Sequence, residues 1–271
     1  MTADSINSVN RASSINSADG ALLEQLVWLS RALGRPERDL AILGEGNTSV
    51  RLDCYRFLVK ASGTSLTEAD GRSFVEMDLR RTLAILDLED PSDAELADAL
   101  MAARTDEESD LRPSIEAVMH ALCLTEGGAA FAGHTHPVSV NSVLCSDRAR
   151  ALSDGAIFPD QVVVLGRHPL HVPYADVGLP LARAVRDGLR DHRLRAYTPP
   201  KTIYLQNHGL VALGQSAGGV DQVTQMADKH ARIMAGALAA GEPVYLTPQQ
   251  ADRLDSRSDE EYRRWILQGR K

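Results

Sequence analysis

The sequence predicts a single α/β or α+β domain. Three observations carry this. Helix-patterned and strand-patterned segments alternate along the chain, but without a regular βαβ beat. No linker-like stretch divides the chain after its first residues. Its 271 residues are 44% hydrophobic, enough for one sizeable core. There is no G-x-G-x-x-G at a strand–helix junction and no Walker A lysine loop, so nothing points to a nucleotide fold.

The elements follow in order. Residues 1–18 are rich in Ser and Asn, with Ser5-Ile6-Asn7-Ser8 echoed at Ser14-Ile15-Asn16-Ser17. They read as a disordered tail, leaving 19–271 as the folded domain. Leu22, Leu23, Leu26, Val27, Leu29 and Leu33 keep helical spacing, and Gly34 is placed to cap the helix C-terminus. Residues 48–52 and 56–60 are strand-like and are broken at Asp53 and Cys54, which predicts a hairpin. Helices are predicted over 92–104 and 114–124, then strands over 129–134 and 161–165. Helices return over 179–192 and 220–238, with the strand-like run Thr202-Ile203-Tyr204-Leu205 between them. The polar segment 247–271 also reads as helical, anchored by Trp265 and Ile266.

Bulk properties exclude several classes. The net charge is -8, with no clustered Lys and Arg to meet a phosphate backbone, so no nucleic-acid partner is expected. No apolar run approaches the roughly 20 residues of a membrane span, and the N-terminus lacks the apolar stretch of a signal peptide. Cys54, Cys123 and Cys145 are widely spaced, with no C-x-x-C pair. They read as reduced, mostly buried thiols of a cytoplasmic protein and not as metal ligands.

The densest chemistry lies in three histidines. His134 and His136 stand in Gly133-His134-Thr135-His136-Pro137, behind the apolar run Ala129-Ala130-Phe131-Ala132. On a strand, residues two apart share a face, so both imidazoles would project together. His208, in Gln206-Asn207-His208-Gly209-Leu210, follows another strand-like run and is placed to join them. Three imidazoles with a fourth position open form the ligand set of a catalytic zinc site. An isolated H-x-H fits a surface or core pair equally well, so the motif gains weight only from its neighbours.

Those neighbours include two small-residue loops, Gly44-Glu45-Gly46-Asn47-Thr48-Ser49 and Ala61-Ser62-Gly63-Thr64-Ser65. Each is either ordinary turn chemistry or a nest of backbone N–H groups for an anion, and composition alone favours the turn. Pro113-Ser114-Ile115-Glu116 opens a predicted helix, with Ser114 as its N-cap. Glu116 is then either a surface acid complementing the helix dipole, or an acid/base group or displaceable ligand facing the histidines. His120, one turn later, reads as a supporting or core histidine and not as a fourth ligand.

Taken in order, these motifs resemble the class II aldolase/adducin superfamily. They are Gly46-Asn47-Thr48-Ser49, Ser62-Gly63, Pro113-Ser114-x-Glu116, His134-x-His136-Pro137 and Asn207-His208-Gly209-Leu210. The superfamily includes fuculose-1-phosphate and rhamnulose-1-phosphate aldolases and ribulose-5-phosphate 4-epimerase. The resemblance covers roughly residues 20–240. It implies a single three-layer α/β/α domain on a largely antiparallel central sheet, commonly assembled as a homotetramer with active sites at subunit interfaces. It implies that His134, His136 and His208 bind zinc, a set that also suits Mn2+ or Co2+. Glu116 matches the acid that ligates the metal at rest and transfers a proton in turnover. Gly46, Asn47, Ser62, Gly63 and Ser114 match the pocket that grips a substrate phosphate.

The implied reaction is reversible retro-aldol cleavage of a ketose or ketose 1-phosphate through a metal-stabilised enediolate. The same site supports 4-epimerisation, decarboxylation and dehydration in other members, and adducin-like members are scaffolds that have lost the ligands. This chain keeps them, which argues against a scaffold. Two departures bear on the substrate. Ile115 stands where the fuculose-phosphate enzymes have a second phosphate-binding serine, and Phe158-Pro159-Asp160-Gln161 lacks their mid-chain tyrosine. Tyr174 matches another family tyrosine, read here as structural, and Tyr262 lies in the tail segment. Lys60-Ala61-Ser62-Gly63-Thr64 is closer to the rhamnulose branch, and the epimerases carry Asp in place of Glu116.

Overall fold

The structure, a computed structural model, describes residues 17–196 and 198–257. The tail expected over 1–18 falls outside them except for Ser17 and Ala18, which open the first helix. Tyr262, Trp265 and Ile266 also lie outside the described residues.

In chain order the helices are α1 (Ser17–Leu33), α2 (Leu79–Ala84), α3 (Asp93–Ala102), α4 (Ala117–Leu124), α5 (Val138–Leu144), α6 (Pro159–Leu165), α7 (Leu179–Ala196), α8 (Ala217–Ala240) and α9 (Pro248–Asp255). The strands are β1 (Asn47–Arg51), β2 (Arg56–Lys60), β3 (Phe74–Asp78), β4 (Phe131–Thr135), β5 (Leu170–Val172), β6 (Thr202–Leu205) and β7 (Gly209–Gly214). They form one sheet in the order β3-β2-β1-β4-β7-β6-β5. Every described pair is antiparallel except β5 with β6.

Helices cover both faces, because alternate residues of each strand are apolar on opposite sides. On one face Phe57, Val59, Ala132, Ile203 and Val211 pack under α2, α3, α4 and α7. On the other, Val50, Phe131, Tyr204, Leu210 and Ala212 pack under α1, α5, α6 and α8. The expected three-layer α/β/α domain on a largely antiparallel sheet is what the chain forms.

Local chemistry explains most boundaries. Asp53 turns the β1–β2 hairpin by accepting the backbone N–H groups of Tyr55 and Arg56 at 2.7 and 2.8 Å. Ser92 and Glu95 close a capping box on α3, and Thr247 and Gln250 do the same on α9. Gly34 ends α1, its N–H reaching Ser30 O at 2.8 Å.

Three expectations need correction. Residues 161–165, expected as a strand, lie in helix α6. Pro159 starts that helix, and Gln161 turns its side-chain oxygen back to the Ile157 N–H at 2.9 Å. Packing against α8 overrides the β preference of Val162, Val163 and Val164. The helix expected from Ser114 begins only at Ala117, with Glu116 at its N-cap position. Bridging of Pro113 to Ala61 holds the chain extended there, so residues 114–116 turn before the helix can start. Of the three free cysteines, only Cys123 is buried. Cys54 sits in the exposed β1–β2 turn and Cys145 just past the end of α5.

Candidate metal centre

β4 lies at the middle of the sheet and brings the first histidine to the centre. It pairs with β1 on one side, Asn47 opposite His134, and with β7 on the other, Val211 opposite His134. Ala132 and His134 face α4, while Gly133 turns to the α1 and α8 side. The strand ends at Thr135, so His136 stands just past it, its N–H bonded to Leu40 O at 2.8 Å. His208 occupies the tight turn between β6 and β7. Asn207 supplies the left-handed residue that this turn requires (φ 56°). The Asn141 amide holds the His208 carbonyl at 2.9 Å.

These elements bring the three imidazoles together. His134 Nε2 lies 3.0 Å from His136 Nε2 and 3.3 Å from His208 Nε2. One ligand nitrogen from each ring falls within 4.8 Å of the others. Nitrogens bound tetrahedrally to one ion at about 2.0–2.1 Å would stand about 3.3 Å apart, so the spacing fits a shared metal. The protonation pattern fits too. His134 Nδ1 lies 3.0 Å from Leu210 O, an acceptor, so its proton sits there and Nε2 turns a lone pair to the centre. Burial lowers the pKa of His134, His208 and His136, the last to about 4, against the opposing pull of nearby carboxylates. Neutral imidazoles are the form a metal binds.

Glu116 completes the constellation. It is buried, with Oε2 3.5 Å from His134 Nε2 and Oε1 3.3 Å from His208 Nε2. Burial works against its charge, yet His134, His208 and the Asn47 amide outweigh that and hold the carboxyl down at about 2. Oε1 has no hydrogen-bond partner. A buried carboxylate oxygen facing imidazole lone pairs is costly unless a cation sits between them. The donor set therefore fits a divalent ion held by His134, His136 and His208, with Glu116 beside it. The surface-acid alternative for Glu116 does not hold.

The expected anion pocket is partly occupied by the protein itself. Asn47 Nδ2 donates to Glu116 Oε2 at 2.7 Å and to Ser114 Oγ at 3.2 Å, and Asn47 Oδ1 contacts His120. Its side chain thus offers a ligand no spare donor. Ser114 Oγ also accepts the Glu116 N–H at 3.2 Å and keeps its own proton to give. Gly46 and Gly63 adopt left-handed backbone, φ 69° and 77°. The loops carrying them face one another across a cavity of about 440 Å³ lined by Leu43, Gly44, Gly63, Ser65, Thr67 and Glu68. Ser62 is exposed beside it.

Two residues escaped the sequence reading. Lys60 is buried behind the Ser62–Gly63 loop, with Nζ 2.5 Å from Thr64 O. Burial lowers its pKa to about 8 although the Glu116 charge opposes this. Its one visible signal was a lysine closing the apolar strand Phe57-Leu58-Val59. Glu45 stands 3.8 Å from His136 Nδ1, its other oxygen held by the Ile42 N–H at 3.1 Å. Ile115 is half-exposed against Gly178 and does not enter the carboxylate network. Tyr174 is exposed, donating to Asp176 at 2.8 Å, and is no core element. Phe158 lies beside His230 under α8.

Fold and histidine cluster together are those expected of the superfamily that the sequence motifs resemble. Comparison with known proteins agrees: residues 24–235 match the model of the class II aldolase and adducin N-terminal domain, and the chain belongs to that family. Among solved structures it is similar to the N-terminal class II aldolase domain of a conserved protein from Thermoplasma acidophilum. That match has 24% identity and a TM-score of 0.58, covering 84% of this chain and 96% of that one. An L-fuculose 1-phosphate aldolase gives 19% identity and a TM-score of 0.67 over 92% and 98%. YgbL from Klebsiella pneumoniae, described as a putative aldolase/epimerase/decarboxylase, gives 19% and 0.64 over 88% and 100%. At these identities the likeness speaks for the fold. Nothing among curated proteins matches the chain.

Proposed function

We propose that the protein is a zinc-dependent class II aldolase that reversibly cleaves a ketose or ketose 1-phosphate. The observation that carries this reading is the convergence of three imidazole nitrogens on one point beside the unpartnered Oε1 of Glu116. A divalent ion held there would act as a Lewis acid toward a substrate carbonyl and spread the charge left by C–C cleavage.

The chain's own groups supply the rest. His134 keeps its Nε2 lone pair inward because Leu210 O holds the Nδ1 proton. Glu116 Oε1, which has no hydrogen-bond partner, would move the proton at the carbon next to the carbonyl. Ser114 has a hydroxyl proton to give the substrate. Gly63 and Ser65 edge the cavity, and the backbone N–H groups of their loop would meet a phosphate or another anionic end there.

Exposed Ile42, Leu43 and Val138 flank the ligand-bearing turns, which supports burial against a second copy and a homotetramer. The free cysteines support a reducing, cytoplasmic setting. No helix among the described residues is long and apolar enough to cross a membrane.

The test is elemental analysis of untagged protein prepared without chelator, beside His134→Ala, followed by a retro-aldol screen over ketoses with and without a 1-phosphate. About one zinc per chain, lost in the variant, with two carbonyl fragments from one sugar, is expected. A metal-loaded protein that yields an epimer, carbon dioxide or water loss would replace the aldolase reading. Absence of metal even after reconstitution would end it.

A further inference from the structure

His120 is fully buried on α4, one turn after Glu116, and the reaction outlined above gives it no task. Its ring is nevertheless held at both nitrogens. Nδ1 lies 2.6 Å from Ser49 Oγ, and Nε2 is in hydrogen-bond contact with Asn47 Oδ1. Ser49 and Asn47 are two residues apart on β1, so both point at α4. Asn47 in turn reaches Glu116 Oε2 at 2.7 Å. Ser49, His120, Asn47 and Glu116 therefore form one buried chain of hydrogen bonds ending at the metal site.

The polarity of that chain is set from the carboxylate end. An ionised Glu116 can only accept. Asn47 must then turn its nitrogen to Oε2, which leaves Oδ1 for His120. His120 must carry its proton on Nε2, so Nδ1 accepts and the Ser49 hydroxyl donates. Were the Asn47 amide flipped, its oxygen would face the carboxylate and its N–H groups would face the His120 N–H. The carboxylate contact would set like against like in a buried site, and so would the His120 contact unless its ring changed tautomer.

From this geometry we infer that His120 is a positioning residue for Glu116. Its Nε2–H locks the Asn47 amide in the one orientation that donates to Oε2, so that Oε1 is the oxygen presented to the metal centre. The carboxylate already favours that orientation, and the His120 N–H adds a second contact that only this orientation satisfies. The inference rests on reading the three histidines and Glu116 as a metal site.

The experiment measures zinc affinity by chelator competition for wild type, His120→Leu and His120→Gln, beside thermal unfolding of the metal-free proteins. His120→Leu keeps the bulk but not the N–H, and should bind zinc about tenfold more weakly, the low end for loss of a group supporting a ligand. Gln at this position offers an N–H to Asn47 and an oxygen to Ser49, and should restore the affinity. Equal zinc affinity in wild type and His120→Leu would overturn the role of His120. So would equal losses in both variants that follow their thermal stability. A wild-type protein that binds no zinc would overturn the metal reading itself. If the leucine variant does not fold, 15N-histidine NMR of the wild type decides. A protonated Nε2 with bare Nδ1 upholds the chain, and the reverse tautomer overturns it.

Discussion

Gly46 and Gly63 offer a controlled test of how the backbone frames the site. Both have left-handed φ, 69° and 77°, which costs an alanine about 1–2 kcal/mol. The gain from a less flexible unfolded chain returns about 0.4–1 kcal/mol. Their surroundings differ. A Cβ at Gly63 meets nothing within 4 Å, whereas one at Gly46 would stand 2.7 Å from His134 O and 3.0 Å from Leu66 Cδ1. The carbonyl belongs to the β4 residue that carries the first imidazole, so relief must move the strand or the loop. Such overpacking costs about 1–3 kcal/mol more. Gly63→Ala should therefore cost about 1 kcal/mol and Gly46→Ala about 2–4 kcal/mol. At about 2–4 °C per kcal/mol for a domain of this size, the Tm falls by a few degrees in the first and by about 4–16 °C in the second. Scanning calorimetry at one protein concentration measures both. Equal shifts would show that the His134 carbonyl is not the wall that excludes a side chain, and the reasoning would fail.

Other outcomes follow from the same geometry. Glu116→Gln should stay metal-loaded at saturating zinc, because the three imidazoles remain, though with weaker affinity, yet lose solvent exchange of the proton next to the product carbonyl. Wild-type exchange rates, followed by NMR in deuterated buffer, would remove Glu116 from proton transfer. His230 is buried under the sheet with Nε2 unpartnered, and burial lowers its pKa to about 4. Between that value and the unfolded value near 6.5, the unfolded chain binds the extra proton, so stability is lost as pH falls through this window. His230→Leu should shed less stability than wild type between pH 7 and pH 4, by at most about 1.4 kcal/mol per pH unit. Urea midpoints at each pH would show it, and parallel curves would contradict it.

Legibility from sequence followed the range of the interactions. The β1–β2 hairpin was visible because Asp53 acts on its own neighbours, and α3 because Ser92 and Glu95 cap locally. The histidine cluster was visible because His134 and His136 are two residues apart behind an apolar strand and Asn207-His208-Gly209 carries its own turn chemistry. α6 was misread because three consecutive valines favour a strand until packing against α8 decides otherwise. β3, β5 and β7 went unforeseen, since short apolar runs gain identity only from the partners they find. The start of α4 depended on a bridge from Pro113 to Ala61, far apart in sequence. For the same reason the tie from His120 through Asn47 to Glu116 could not be read from the chain. It exists only because the sheet register sets Asn47 opposite His134 under α4.

That register also dictates when the centre can come into being. Asn47, Glu116, His134 and His208 are supplied by β1, the segment before α4, β4 and the turn before β7. β4 is bordered by β1, made early, and by β7, made late. A ribosome-bound chain that has not yet released the β6–β7 turn lacks His208 and one border of β4. If the proposed centre holds a metal, its loading would be a late event in the life of each molecule. An ion captured there with full affinity would then report that the central sheet has closed, so that uptake would double as a completeness check on folding.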